Sequence, residues 1–315
     1  MPRFPGHFYF VFMKKNIIVI LGPTASGKTT LAVRLAHDLR GEIISADSRQ
    51  VYRGMDIGTG KDLSEFRIAG KTIPCHLIDI LDPSQEFNVF EFQKRFYETF
   101  NDLKKKQVLP VLVGGTGLYL ESVLTDYVLP QALPDARFRE EFASKSQAEL
   151  REILLAMKPD LHNKTDLEDR DRILRRMEIE KARQNPAGEP AQKPVIRAGV
   201  FGIHWERSVL RRRIADRLQT RMAEGMIEEV SRLHAEGLSW QRLDSFGLEY
   251  RYIAGYLRNM MTKDEMTAGL QIAIGQFAKR QMTWFRRMEK KGVAIEWIPG
   301  DDYPALRRRA SEVLS

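Results

Sequence analysis

Short apolar runs and longer amphipathic stretches alternate along the first part of the chain. The short runs are typical of buried strands and lie at residues 16–21, 42–46 and 108–113. Residues 29–39 and 88–105, which follow the first and precede the third run, carry apolar side chains at helical spacing and are predicted to be helices. Strands that alternate with helices predict a parallel sheet covered on both faces.

This alternation does not continue into residues 126–194, which are charged and helical in pattern, contain several prolines and lack a convincing strand. Strand-like runs return at residues 195–205 and 293–298, which indicates that the sheet resumes after an insertion. We therefore predict a discontinuous α/β core of residues 14–125 and 195–315, with residues 126–194 inserted as an all-helical domain.

Composition is that of an ordinary globular protein of about two domains. The chain has 315 residues, of which 43% are hydrophobic and 29% charged. Its single cysteine, Cys75, excludes an intrachain disulfide and a Cys-rich zinc module. Because no apolar run has the length of a membrane span or a signal peptide, we expect a cytoplasmic protein. Met13 has the context of a start, and we expect residues 1–12 to be an extension with no role in the fold.

Positive charge is concentrated in the second half of the chain. The net charge is +8, and residues 1–150 carry 19 basic and 18 acidic side chains against 31 and 24 in the remainder. This imbalance favours a polyanionic partner. Residues 207–230 are predicted to be one helix with Arg213, Arg217 and Arg221 on a shared face. That face suits a phosphate clamp or a nucleic-acid surface, and the alternative is a solvated face paired with acids elsewhere.

A second basic helix is predicted over residues 272–290. It interleaves Lys279 and Arg280 with the aromatic pair Trp284 and Phe285. Cations and rings in this arrangement could contact RNA phosphates and stack on bases. The alternative is that the rings enter the core, which we expect for at least one of them.

Residues 22–29 match the phosphate-loop pattern G-x-x-x-x-G-K-[ST] between a predicted strand and a predicted helix. Glycines let backbone N–H groups approach a phosphate, Lys28 supplies a cation, and the Thr29 hydroxyl can bind Mg²⁺. The core is therefore predicted to be a P-loop NTPase-like parallel sheet. The predicted phosphate-binding residues are Gly22, Pro23, Thr24, Ala25, Ser26, Gly27, Lys28 and Thr29. Because the strand at residues 108–113 is followed by glycines instead of an acid, machinery for NTP hydrolysis is not evident.

Polar side chains follow the ends of the predicted strands, where open parallel sheets bind ligands. Asp47 either accepts a proton or hydrogen bond from a substrate, or caps a helix or supports a magnesium ion. Thr116 either contacts substrate or is only the N-cap of the next helix. His76, Asp79 and Asp82 superficially offer a metal site, but no second His or Cys lies at ligand spacing, so a strand with a turn is preferred.

Taken together, these motifs resemble the bacterial tRNA dimethylallyltransferase family. The resemblance rests on the order and spacing of residues 22–29, 42–59, 76–80, 112–119, Arg172 with Arg175, the arginine helix, and 278–284. It implies a P-loop fold and transfer of the dimethylallyl group from dimethylallyl diphosphate to N6 of the adenosine just 3′ of the anticodon of tRNA. The phosphate loop would hold a prenyl diphosphate in place of ATP.

The resemblance also implies residue roles. Asp47 would accept the proton of the exocyclic amine, and Thr116 would help to place the base or the diphosphate. Arg213 or Arg217 would neutralise the leaving diphosphate, with Mg²⁺ as cofactor at Thr29. The implied tRNA contacts are Asp47, Ser48, Arg49, Gln50, Arg172, Arg175, Gly247, Arg251, Lys279, Arg280 and Gln281. The insertion would grip the anticodon stem, and we expect a monomer that binds no membrane.

Three alternatives remain. One is a P-loop small-molecule kinase with the arginine helix as its lid, and another is an adenylate dimethylallyltransferase that acts on free AMP or ADP. The third is a non-enzymatic RNA-binding P-loop module. The basic second half of the chain favours a large polyanion over a free nucleotide.

Overall fold

The computed structural model describes residues 14–125, 135–159, 167, 170–184 and 193–315. These residues divide into two compact units. The first comes from within Met1–Tyr127 and Pro194–Ser315, and the second from within Val128–Lys193. The bounds of the second unit are nearly those of the predicted insertion, residues 126–194. Residues 1–12, which we expected to have no role in the fold, lie outside the described residues.

The first unit contains a six-stranded sheet in which all pairings are parallel, which confirms the predicted α/β fold. The strands of the described residues are, in chain order, β1 (Ile17–Leu21), β2 (Gly41–Ala46), β3 (Arg67–Ile68), β4 (Lys71–Thr72), β5 (Cys75–His76), β6 (Leu109–Gly114), β7 (Ala198–His204) and β8 (Ile295–Pro299). The sheet order is β5-β2-β6-β1-β7-β8, and β3 and β4 form a separate antiparallel pair. Gly114 lies opposite both Leu21 and Ala46, so the carboxyl ends of β1, β2 and β6 meet at one edge.

Helices make up most of the remaining described chain. In chain order they are α1 (Lys28–Leu39), α2 (Val89–Lys105), α3 (Gly117–Leu124), α4 (Ala136–Glu141), α5 (Gln147–Met157), α6 (Arg170–Gln184), α7 (Arg207–Ala223), α8 (Met226–Ala235), α9 (Trp240–Ser245), α10 (Leu248–Leu257), α11 (Lys263–Lys290) and α12 (Tyr303–Leu314). Helices α4, α5 and α6 belong to the second unit. That unit has its own small core and no strand among its described residues.

Helices cover both faces of the sheet. Successive residues of a strand point to opposite faces, and those of β1 enter two different cores. Ile17 and Val19 of β1 join a core with Phe92 of α2, whereas Ile18 and Ile20 join the core formed with α1 and α12. All five residues of β1 are buried. This double covering explains why the strand is a continuous apolar run in the sequence.

The predicted arginine helix is two helices instead of one. The helix is interrupted at Gly225, whose φ of 98° is in the left-handed region that favours glycine. The helical pattern of residues 207–230 is therefore divided between α7 and α8. The second basic helix begins at Lys263, earlier than residue 272. Phe285 is fully buried, and Trp284 is half-buried against Gly117, so both rings pack on the protein.

No helix within the described ranges combines the length and apolarity that a bilayer span needs.

Candidate functional site

The phosphate loop lies between the buried end of β1 and the start of α1. Gly27 is the N-cap of α1 with φ 78°, and no side chain caps the first turn. The first N–H groups of α1 therefore keep the positive potential that suits an anion. A Cβ on Gly22 would lie 2.8 Å from Ser26 Oγ and 3.0 Å from the Ile203 carbonyl, so the close turn requires glycine there.

Gln281 of α11 is built into the wall of this loop. Its Oε1 accepts from the Thr24 N–H at 2.8 Å, and its Nε2 donates to the Gly115 carbonyl at 2.9 Å. The side chain is buried. Its amide thus joins the phosphate loop to the turn after β6, and the predicted RNA contact at Gln281 stays a prediction.

Lys28 lies beneath the loop, with Nζ 3.3 Å from the Pro23 carbonyl. Burial, and then the neighbouring Arg217 cation, lower the pKa of Lys28 to about 8. An anion placed between these cations would be stabilised by both, and it would in turn stabilise the charged form of Lys28.

Arginines of α7 reach this loop directly. Arg213 donates from Nε to the Ala25 carbonyl at 2.8 Å and lies over the Trp205 ring. Arg217 approaches Thr24 Oγ1 from Nη1 and the Gly60 carbonyl from Nη2, each at 3.4 Å. The solvated-face alternative is therefore wrong for these two arginines, which are parts of the site.

Asp47 lies directly after β2 and uses one carboxylate oxygen to hold its own turn. Oδ1 accepts from the backbone N–H of Arg49 at 2.9 Å and of Gln50 at 3.3 Å. Within the described residues, Oδ2 has no hydrogen-bond partner. The turn therefore fixes the side chain and leaves an oxygen that can accept a proton.

Thr116 is the N-cap of α3 by position, but its hydroxyl does not cap that helix. Oγ1 instead accepts from the Ser48 N–H at 3.3 Å, which joins the turns after β6 and β2. Because this contact uses an acceptor lone pair, the hydroxyl hydrogen is left for another partner. The interpretation of Thr116 as only an N-cap is corrected by this contact.

The other predicted RNA contacts differ in how far the protein already engages them. Gln50 Nε2 donates to the Gly60 carbonyl at 3.3 Å, and Arg49 Nη1 donates to buried Glu249 Oε2 at 2.6 Å. Arg49 is thus not a free surface cation. Gly247, with φ 115°, lies against the Arg49 side chain, where a Cβ would be 3.0 Å from Nη1.

Lys279, Arg280 and Arg251 are exposed in the first unit. In the second unit Arg172 is exposed, whereas Arg175 donates to buried Glu178 Oε2 at 2.9 Å. Cationic groups on an exposed surface suit phosphate contacts. The predicted RNA roles of these residues stay predictions.

Two substantial cavities flank the loop and a small one lies between them. One, of about 780 Å³, is lined by Lys28, Thr29 and the α7 arginines, and another, of about 440 Å³, includes the rings of Tyr52, Phe246 and Phe277 in its wall. The small cavity, of about 60 Å³, shares wall residues with each and is lined by Asp47 and Thr116. The site therefore offers two ligands separate approaches to the same polar centre.

Glu229 of α8 is a site residue that the sequence did not reveal. Its carboxylate accepts from three backbone N–H groups, those of Asp56 at 2.8 Å, Ile57 at 2.7 Å and Gly58 at 2.9 Å, and from the Tyr250 hydroxyl at 2.8 Å. The loop held in this way supplies the Gly60 carbonyl that Gln50 and Arg217 use. A single glutamate in an amphipathic helix carries no sequence signal for such a role.

The preferred interpretation of the His76 segment agrees with the structure, since His76 lies in β5. Its Nε2 is 2.7 Å from Glu42 Oε2, while Asp79 pairs with buried Lys61. Across the described ranges, no cluster of three or more His, Cys, Asp or Glu side chains could hold a metal ion.

Comparison with known proteins identifies relatives of this site and fold. Family models described as IPP transferase and isopentenyl transferase match residues 50–288 and 15–70. The chain is 55% identical to tRNA dimethylallyltransferase 1 of Syntrophus aciditrophicus, over 94% of this chain and 98% of that protein. For tRNA dimethylallyltransferase 1 of Geotalea uraniireducens the identity is 51%, over 96% and 98%.

A solved structure gives the same picture. The full-length tRNA isopentenylpyrophosphate transferase of Bacillus halodurans is 32% identical, with a TM-score of 0.69, over 96% of this chain and 97% of that one. The match therefore covers nearly the whole of both chains.

Proposed function

The chain belongs to the IPP transferase family, and from that premise we propose that it transfers the dimethylallyl group of dimethylallyl diphosphate to N6 of the adenosine just 3′ of the anticodon in tRNA. The observation that supports this most is a pair of cavities that each share wall residues with a small third cavity, which is lined by Asp47, Thr116 and residues of the phosphate loop. A transferase needs its two substrates to approach one centre from different sides, and this arrangement provides for it.

In the proposed reaction N6 attacks the allylic carbon, the carbon–oxygen bond to the diphosphate breaks, and the N6 proton passes to Asp47 Oδ2. Lys28, Arg213 and Arg217 stabilise the negative charge that develops on the leaving diphosphate. Thr116 orients the base or the diphosphate with its free hydroxyl hydrogen. The adenosine reaches Asp47 by unstacking from the neighbouring bases of the anticodon loop.

We also propose that Thr29 contributes to a Mg²⁺ site. Thr29 lines the 780 Å³ cavity and the small cavity, and its hydroxyl is the hard oxygen ligand that Mg²⁺ prefers. When bound there, the ion would supply positive charge to the diphosphate. Mg²⁺ commonly takes few protein ligands and completes its shell with phosphate oxygens and water, which fits a single hydroxyl.

The two enzymatic alternatives are not favoured. The relatives are tRNA dimethylallyltransferases, so neither a small-molecule kinase nor a transferase acting on free AMP or ADP is supported. The structure agrees with the sequence that β6 ends in Gly114 and is followed by Gly115, without the acid of an NTP hydrolase.

Mass spectrometry of nucleosides tests the proposal. The protein is incubated with tRNA and either dimethylallyl diphosphate or ATP, and the tRNA is then digested. We expect N6-dimethylallyl adenosine only with the prenyl donor. Consumption of ATP without modified tRNA would contradict the proposal.

Affinity for anticodon stem-loop RNA should fall steeply with salt. Each contact to a single-stranded phosphate contributes a slope of about −0.7 in log affinity against log salt. Arg280 is exposed on α11, so Arg280→Ala should reduce the slope by about one contact and leave donor binding unchanged. Titration of the stem-loop at several salt concentrations measures both effects.

Arg308 of α12 provides the matched control, because it is also exposed and lines none of the three cavities. Arg308→Ala removes the same charge and should leave the slope unchanged. If both variants reduce the slope equally, the salt dependence of RNA binding reflects net charge alone. That result would contradict a specific phosphate contact at Arg280.

The kcat/KM for the donor should decline as pH rises through about 8. The lowered pKa of Lys28 means that the ammonium form, which binds phosphate, predominates below that pH and the neutral form above it. Lys28→Arg stays charged across this range, so whatever activity it retains should lack this decline. A pH profile of initial rates at low donor concentration makes the comparison, and an identical decline in both proteins would exclude Lys28 as its source.

We further propose that the second unit grips the anticodon stem through Arg172 and Arg175 and that the protein is a cytoplasmic monomer. Exposed Arg172 supports the first of these. Light scattering on the purified protein tests the monomer, and cross-linking of tRNA to the second unit tests the grip. A dimer, or cross-links confined to the first unit, would contradict the respective proposal.

A further inference from the structure

Arg221 lies one helical turn beyond Arg217 on α7 and is only 9% exposed. Its Nη2 is buried without a partner, and no other described residue accepts a hydrogen bond from its guanidinium. Arg213 and Arg217 on the same face both donate to protein oxygens. A guanidinium nitrogen that is removed from water without a hydrogen bond is costly to bury, so the position of Nη2 calls for an acceptor that the described residues do not supply.

Glu249 at the start of α10 is the acid next to Arg221, and it is shared with a second cation. Glu249 Oε1 lies 3.8 Å from Arg221 Nη1, while Oε2 accepts from Arg49. Burial on its own would raise the pKa of Glu249, but Arg49 and Arg221 hold it below its ordinary value. The carboxylate is therefore charged, and it neutralises only one of the two arginines.

The remaining positive charge faces the phosphate loop. Arg217 and Arg221 meet over Gly60, where a Cβ would collide with Nη2 of both. Both side chains line the 780 Å³ cavity together with Lys28, and both line the small central cavity. Among the acids that line this cavity, Glu65 offsets part of the charge of Arg217 and Lys28. Two guanidinium groups and an ammonium held together beside that one carboxylate still repel one another unless a further anion lies among them.

We infer that Arg221 is a third arginine of the diphosphate-binding site and that Glu249 is the residue that positions it. The inference rests on the proposed function for the nature of the ligand, which is the diphosphate group of the donor or of the released product. Arg221 would add charge-assisted hydrogen bonds to those of Arg217, and Glu249 would hold its guanidinium towards the cavity. Because Glu249 also holds Arg49, the same carboxylate orders a cation on the side of the 440 Å³ cavity.

Binding of inorganic diphosphate to the full chain, measured by calorimetry in the presence of Mg²⁺, tests the inference. Arg221→Met should weaken binding by about 10- to 100-fold, the effect of losing charge-assisted hydrogen bonds. Arg212, on the same helix, is exposed, so Arg212→Met is the matched control and should stay within about twofold. Unchanged affinity in Arg221→Met would overturn the inference.

Kinetics separate binding of the diphosphate from general damage to the fold. Arg221→Met should raise the KM for the donor while the KM for tRNA changes less. Glu249→Gln should also raise the KM for the donor, because its carboxylate positions Arg221. An equal rise in both KM values in Arg221→Met would indicate a structural role and overturn the inference.

Arg221→Lys is a second variant that keeps the test possible if the Arg221→Met protein does not fold. It keeps the charge without the forked donors, and should bind inorganic diphosphate more weakly than the wild type. Wild-type affinity in Arg221→Lys would overturn the assignment of directed hydrogen bonds. This measurement needs no tRNA, so the two proposals can fail separately. Absence of tRNA prenylation would contradict the proposed function alone. Prenylation together with diphosphate binding that does not depend on Arg221 would contradict this inference alone.

Discussion

Replacing Asp47 by asparagine should lower the rate of dimethylallyl transfer by about 10²-fold or more and leave tRNA affinity nearly intact. Asparagine keeps an oxygen that can accept from the Arg49 and Gln50 N–H groups, so the turn after β2 is preserved. What is lost is the second carboxylate oxygen, which cannot be replaced as a proton acceptor by an amide. Single-turnover rates with saturating donor and tRNA measure the effect on the chemical step.

Asp216 provides the control for this experiment. It is exposed and lines the 780 Å³ cavity, but not the small cavity that contains Asp47. Asp216→Asn therefore makes the same change in charge away from the reacting centre and should alter the rate by less than about threefold. Near-normal turnover in Asp47→Asn would refute the assignment of the proton acceptor.

Replacing Glu229 by alanine should destabilise the first unit by about 4 kcal/mol, because three backbone N–H groups and the Tyr250 hydroxyl lose their buried acceptor. Unsatisfied buried donors are among the larger causes of mutational destabilisation. Activity should fall as well, since the loop anchored by Glu229 supplies the Gly60 carbonyl that Arg217 contacts. Chemical denaturation at equilibrium measures the loss of stability.

Glu228 is adjacent and exposed, so Glu228→Ala should change stability by no more than about 0.5 kcal/mol. Glu229→Gln retains one acceptor oxygen and is expected to lie between the two alanine variants. If Glu229→Ala is as stable as Glu228→Ala, the loop at residues 56–60 does not depend on the carboxylate.

Local sequence patterns sufficed wherever the structure depends on neighbours along the chain. The strand runs, the amphipathic helix with Asn88 at its start, and the phosphate loop were all predicted, because their periodicities and turn residues lie within a few positions of one another. Asp47 and Thr116 were singled out by their places after predicted strands, and the resemblance added what each of them would do.

Errors arose where a periodic pattern continued through a backbone break. The apolar spacing of residues 207–230 continues past Gly225, and only the left-handed conformation of that glycine divides the segment into α7 and α8. A glycine in a helical pattern is tolerated or breaks the helix according to what the following segment packs against. Periodicity alone does not contain that information.

The sequence by itself determined the class of fold, the phosphate loop and the family, since these depend on contiguous motifs. Only the tertiary structure decided which distant side chains complete the site. Gln281 contacts Thr24 across 257 positions, and Glu229 contacts Asp56 across 173, with no pattern in either segment that announces the pairing. Such pairings are set by how helices pack on the sheet, because buried polar groups must find hydrogen-bond partners wherever the fold brings them together.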